Sequence, residues 1–196
     1  MKHVDGILNV ALVGAIGSGK SSVMHELERL GCKCVSLDDI GHGVMDIPEV
    51  KADVARAFGS DILDADGNVI RPRLAAAAFD TPEHTQLLNS ITHPRINAQA
   101  VQFMQDCVDA GEGTVAVIEV SAGDFTVEAF AWADHTIYVY APYETRLERA
   151  CLRGNQTRED IIARMNVQPT EEEYHNLSDI VVDNSGTAEE LPAHVA

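Results

Sequence analysis

The chain has 196 residues, 45% of them hydrophobic and 23% charged, ordinary proportions for a globular protein with room for one α/β domain and excursions from it. Its formal net charge of −17 has the wrong sign for a nonspecific nucleic-acid binder. No apolar run is long enough to cross a membrane as a helix, and the opening MKHVDGILNV lacks the pattern of a signal peptide.

The first apolar run, residues 7–13, reads as a strand, and GAIGSGKSS follows it at 14–22. This stretch fits G-x-x-x-x-G-K-[ST], with Gly14, Gly19, Lys20 and Ser21 at the fixed places. Glycines let a backbone approach a ligand closely, and successive N–H groups then converge on phosphate oxygens. A helix over 21–30, stopped by Gly31, would aim its positive dipole end at the same point. Lys20 would reach the β- and γ-phosphates of a nucleotide, and the Ser21 hydroxyl would hold Mg²⁺, which prefers oxygen ligands. Gly17, Ser18 and Ser22 complete the cradle. The alternative, a glycine-rich turn with an incidental lysine, is disfavoured by the strand before the loop and the helix after it. The motif therefore implies ATP or a similar triphosphate.

A short second strand through Cys34, Val35 and Leu37 is expected to end at Asp38 and Asp39. Helix is expected over 49–58, stopped by Gly59, then a turn at Asp66-Gly67, and Ala-rich helix over 73–79. Asp80 or Thr81 would cap another helix with Pro82 in its first turn, and Pro94 interrupts that pattern. A separate helix is expected over 96–110. TVAVIEV at 114–120 is an apolar strand carrying Glu119, and 136–140 is another. Helices follow over 143–153 and 158–167, and 180–182 is a last strand.

Five unbroken apolar strands alternating with helices indicate a parallel sheet covered on both faces, a three-layer α/β/α arrangement. Ligands of such sheets bind at the C-terminal strand ends, where Gly14, Asp38 and Glu119 are expected. Asp38 is the candidate base or orienting group for an attacking oxygen; helix capping is its alternative role, and Asp39 its rival. Glu119 would touch Mg²⁺ through water or form a salt bridge. Five of the ten arginines fall between 146 and 164, where a helical lid would place cations over migrating charge. Arg153, next to the break at Gly154-Asn155, is favoured among them. The cysteines Cys32, Cys34, Cys107 and Cys151 lack zinc or redox spacing and are expected to be reduced thiols in a cytoplasmic protein. The eight histidines contain no H-x-x-x-H pair, so no metal beyond Mg²⁺ is expected.

Taken together, these motifs resemble the dephospho-coenzyme A kinase family over nearly the whole length. LVGAIGSGKS at 12–21 matches the family's L-T-G-G-I-G-S-G-K-S, and Ser36-Leu37-Asp38 stands for its D-A-D. LNSITHP at 88–94 matches L-x-x-I-x-H-P. The family's arginine pair ahead of a T/S-R/x-E run is matched by Arg149 and Arg153 and then QTRED, and R-I/M-x-x-Q fits 164–168. SDIVVDNSG at 178–186 matches A-D-x-V-I-D-N-x-G. The resemblance implies a P-loop NTPase-type fold with a core near 6–40, 113–142 and 178–196. It also implies a helical substrate region near 41–112 and a lid near 145–170. It implies ATP as phosphoryl donor, dephospho-CoA as acceptor at its ribose 3′-hydroxyl, and Mg²⁺. Asp38 becomes the base, Arg153 the lid cation and Asn184 a neighbour of adenine. His93 lies in the substrate region, as an acceptor contact or a core histidine, and Arg71 and Arg95 are further acceptor candidates. A monomer without membrane or nucleic-acid partners is expected.

Departures from the pattern sit at Ser36, at Ala15, and at 119–125, where EVSAGDF replaces D-V-P-L-L-F-E. The acid survives as Glu119, but the proline and paired leucines of the acceptor wall do not. Two alternatives follow: a related kinase of another small hydroxyl compound or nucleotide, and a protein that binds ATP without catalysis.

Overall fold

The structure, a computed structural model, describes residues 1–109, 111, 114–121, 125–154 and 156–196. Residues 122–124 of the altered wall and Asn155 of the expected hinge lie outside the described residues. The chain divides into two compact units, Met1–Ser36 with Val101–Ala196, and Leu37–Ala100.

The first unit is built on a five-stranded sheet of β1 (Leu8–Val13), β2 (Lys33–Ser36), β3 (Val115–Val120), β4 (His135–Tyr140) and β5 (Ile180–Asp183). Every pairing is parallel and the order is β2-β3-β1-β4-β5. β1 and β3 are buried after their first residue, which explains why both read as unbroken apolar runs. Val10, Leu12, Val117, Val139 and Val182 point to one face. There they meet Val23 and Leu27 of α1 (Lys20–Arg29) and Leu191 of α9 (Leu191–Val195). On β4 the neighbouring Tyr138 stacks on Tyr174 of α8 (Glu171–Leu177), with centroids 5.0 Å apart and planes 7° from parallel. A smaller core joins Leu147 and Ala150 of α6 (Tyr143–Leu152) to Ile161 and Met165 of α7 (Arg158–Asn166), and Ile16 packs against it.

The second unit holds α2 (Leu37–Val44), α3 (Pro48–Phe58), a 3-10 turn (Ser60–Ile62), α4 (Arg71–Ala78) and most of α5 (Pro82–Asp109). Its buried residues are mostly apolar, among them Ile40, Val44, Val50, Val54, Ile62, Leu74 and Ala78, and the buried Thr92 donates its hydroxyl to the Leu88 carbonyl (3.0 Å). The Asp66-Gly67 turn forms as expected, with Asp64 Oδ1 accepting from the N–H groups of Asp66 and Asn68.

Two sequence expectations are corrected here. β2 ends at Ser36, and Asp38 lies in the first turn of α2 rather than on the strand. Gly41 and Gly43 mask that helix in a propensity reading, yet Ile40 and Val44, four residues apart, bury one face of it. Pro94 does not end its helix: α5 runs through it for 28 residues. The proline removes one backbone donor, and the Arg95 guanidinium donates to the Ile91 carbonyl (3.1 Å) in the same turn. Among the described residues no helix is long and apolar enough to cross a membrane.

Candidate active site

The loop after β1 turns through left-handed backbone at Gly17 (φ +79°) and Gly19 (φ +93°), conformations that favour glycine. Both positions are also closed from behind. A Cβ at Gly17 would overlap the backbone carbonyl of Arg146, and one at Gly19 would overlap Asn184 Nδ2. The loop is held by residues distant in sequence. The Ile16 N–H donates to Gln168 Oε1 (2.8 Å), and Asn184 Nδ2 donates to the Ser18 carbonyl (2.7 Å). Asn184 is fixed in turn, because its N–H donates to the Tyr140 carbonyl (2.8 Å) and Arg149 donates to its carbonyl (2.8 Å) and to that of Gly186 (3.2 Å). Arg146 Nε donates to the Ala141 carbonyl (3.0 Å).

Lys20 opens α1, where a helix start presents N–H groups that lack intrahelical acceptors. Its Nζ donates to the Gly14 carbonyl (2.8 Å) and stands 3.6 Å from Glu119 Oε1. Parallel register causes this meeting, because Leu12 pairs with Glu119 across β1 and β3. The two side chains are only 10% and 9% exposed, so their attraction is weakly screened by solvent. Ser121 Oγ donates to the same oxygen of Glu119 (2.7 Å). Ser18 Oγ is buried without a hydrogen-bond partner, while Ser21 and Ser22 are exposed on the first turn of α1. Nearby, the Ser185 hydroxyl and then its N–H hold the Asp183 carboxyl below its usual range.

The geometry thus brings together Gly14, Gly17, Ser18, Gly19, Lys20, Ser21, Ser22, Glu119 and Asn184. Arg153 is the exposed C-cap of α6, whereas Arg146 and Arg149, half-buried, are the arginines that touch the loop or its support. Asp38, Arg71, His93 and Arg95 belong to the second unit. Asp38 and Arg71 are exposed at the starts of α2 and α4. His93 is exposed on α5, which removes the core-histidine alternative. Arg95 reaches Asp53 Oδ2 (3.2 Å) as well as the Ile91 carbonyl. Sequence reasoning did not reach Gln168 or Ser121 as site residues. Ser121 carried a signal, since residues two apart along a strand share a face; Gln168 lies 152 residues from its partner and carried none beyond its motif.

The residues present fit a nucleotide polyphosphate. The close-packed glycines hold the backbone in a fixed curve, the helix start and Lys20 supply positive charge, and Ser21 offers a hydroxyl for a hard cation. A loop of this build at the end of the central strand of a parallel sheet defines the P-loop NTPase fold, to which many kinases belong. In fold the chain is similar to shikimate kinase from Acinetobacter baumannii (TM-score 0.51, 17% identity, 96% of this chain and 90% of that one). It is more similar to TT1252 from Thermus thermophilus (TM-score 0.77, 26% identity, 97% and 93% coverage). The sequence model of the dephospho-CoA kinase family matches residues 8–190. The dephospho-CoA kinase of Thermobifida fusca is 35% identical over 97% of this chain and 94% of its own. That of Deinococcus radiodurans is 36% identical, covering 93% and 86%. The chain belongs to the dephospho-CoA kinase family.

Proposed function

We propose that the protein transfers the γ-phosphoryl group of ATP to the ribose 3′-hydroxyl of dephospho-CoA, the last step of coenzyme A biosynthesis. The observation that carries this reading is the family match through residue 190 together with a complete lysine-tipped loop. Mg²⁺ bound with ATP would neutralise charge on the β- and γ-phosphates; Ser21 would hold it directly and Glu119 through water. Lys20 would take the phosphate oxygens. Asp38, exposed just past the C-terminal end of β2, would accept the 3′-hydroxyl proton as that oxygen attacks phosphorus and the bond to the β-phosphate oxygen breaks, releasing ADP. Asn184 and the segment behind it would line the adenine side, with Arg149 as its support.

We assign the unit Leu37–Ala100 to the acceptor, with the exposed His93 and Arg71 as its contacts and Arg95 engaged with Asp53. The region near 145–170 would act as the lid, and Arg153, which is solvent-facing, would be its cation over the transferring group. Four free thiols suit a cytoplasmic protein, and we take the protein to act as a monomer.

The changed residues at 119–125 keep another small acceptor in view, and a purely ATP-binding role is the remaining contrast. Asp38→Asn separates catalysis from binding. Turnover should fall by about 10²-fold or more, the usual contribution of a general base, with ATP affinity within about twofold. Unchanged turnover would remove Asp38 from the reaction, and a lost ATP affinity would place it in the cradle instead.

A further inference from the structure

Among the described residues, two contacts of Glu119 fall on one oxygen. Ser121 Oγ donates to Oε1 at 2.7 Å, and Lys20 Nζ stands 3.6 Å from it. The ammonium donates to the Gly14 carbonyl at 2.8 Å. The hydroxyl is therefore the close partner of this carboxylate, and the lysine is its more distant counter-charge. Glu119 is 7% exposed, so solvent does little to hold its carboxylate in place and these partners set its orientation.

The two partners differ in what nucleotide binding would do to them. Lys20 would turn to the β- and γ-phosphates, the role given to it above, on which this inference rests. Its attraction to Glu119 would then be shared with several phosphate oxygens. A buried carboxylate that loses its partner is strongly disfavoured unless other hydrogen bonds remain. Ser121 does not move with the lysine, because it directly follows β3, two residues from Glu119 and on the same side of the extended chain. Glutamate also has three side-chain torsions to restrain, and a hydrogen bond at its end restrains the last of them.

We propose that Ser121 is a positioning residue: its hydroxyl keeps the Glu119 carboxylate oriented toward the divalent cation after Lys20 has moved to the nucleotide. Ser121 itself touches neither metal nor substrate in this reading.

The test uses Mn²⁺ as the probe, with ADP and no acceptor, its binding read by electron paramagnetic resonance. Ser121→Ala should weaken Mn²⁺ binding to the ADP complex about tenfold, the low end for removing a hydrogen-bond partner from a metal-orienting group. Ser121→Thr, which keeps the hydroxyl, should stay within about twofold of the parent. In a Glu119→Gln background the same Ser121→Ala change should add almost nothing, because the two residues act as a unit. Metal-free ADP affinity and the thermal midpoint should hold in Ser121→Ala. Unchanged Mn²⁺ affinity in Ser121→Ala would overturn the proposal. So would an equal loss in Ser121→Thr, a full additional loss in the Glu119→Gln background, or a parallel loss of metal-free ADP binding, which would assign Ser121 to loop packing. No acceptor enters these measurements, so a failure to phosphorylate dephospho-CoA would sink the acceptor assignment and leave this result standing.

Discussion

Gly17→Ala should damage nucleotide binding far more than a single methyl group suggests. Gly17 sits at φ +79°, where a residue with a Cβ is strained by about 1–2 kcal/mol. The added carbon would also overlap the carbonyl oxygen, carbonyl carbon and Cα of Arg146. All three are backbone atoms, so no side-chain end can swing aside. α6 cannot retreat cheaply, because Leu147 and Ala150 are packed on Ile161 and Met165 of α7. The loop must therefore yield, and its N–H groups leave the positions that phosphates require. The strain alone corresponds to about 5- to 30-fold in an equilibrium constant, and a displacement near 1 Å costs about 10²-fold in rate. We expect the Mg-ATP dissociation constant to rise at least about tenfold and kcat/KM to fall about 10²-fold. Calorimetric titration and steady-state kinetics would read both. Gly43→Ala is the counterpart: nothing lies within 4 Å of its Cβ position and it sits in α2 with ordinary φ. That change should stabilise the fold by up to about 0.5–1 kcal/mol. A folded Gly17→Ala protein that binds Mg-ATP within about twofold of the parent would refute the reasoning.

Further outcomes follow from the same geometry. The Tyr174 hydroxyl is buried without a hydrogen-bond partner while its ring stacks on Tyr138. Tyr174→Phe should therefore raise stability by about 1 kcal/mol, a thermal midpoint gain of about 2–4 °C; a measured loss would mean the hydroxyl is paired. Asn184→Ala removes the bond to the Ser18 carbonyl in a buried setting. It should cost about 1–3 kcal/mol in urea unfolding and weaken ATP binding; an unchanged unfolding midpoint would count against the clasp. Hydrogen bonds from Ser185 to Asp183, from Thr170 to Glu173 and from Thr187 to Glu190 lower those carboxyl pKa values. Such groups bind fewer protons folded than unfolded, so their contribution is present above about pH 4.5 and is lost as pH falls through the lowered folded values. His3 has the opposite sign. Its hydrogen bond to Asp134 raises its pKa, so its contribution is complete below about pH 6.5 and fades as pH rises through the raised value. Thermal melts should show an acid limb and a shallow decline above neutrality, and His3→Gln should abolish the second while leaving the contributions of Asp183, Glu173 and Glu190 in place.

Much of this architecture could be read locally. The loop, its strand and its helix form one contiguous signature, and β1 and β3 announce themselves as apolar runs because both faces of each are covered. What failed were places where tertiary packing overrode a local rule. Pro94 reads as a stop, yet α5 continues through it with Arg95 donating to a carbonyl of that turn. Two glycines weaken the helical signal of α2, so the helix at Asp38 stands in the sequence only as the alternative to a strand end, whereas Asp38 lies within its first turn. α8 was signalled by the Thr170 and Glu173 capping box, but its short acidic run buries only Tyr174 and has no apolar period to detect. In the site, the Lys20–Glu119 pair exists because β3 lies beside β1, a fact of strand order. The Asn184 clasp on Ser18 spans 166 residues. Contacts of that range depend on the assembled sheet and leave no local trace in the chain.

The most direct test of the account is a coupled ADP-release assay with Mg-ATP. Dephospho-CoA would be compared with adenosine, a nucleoside monophosphate and shikimate, and the product position assigned by mass and phosphorus NMR. The account predicts turnover with dephospho-CoA alone and a new phosphate on the ribose 3′-oxygen. Measurable ATP binding with no turnover of dephospho-CoA, or preferred turnover of another acceptor, would contradict it.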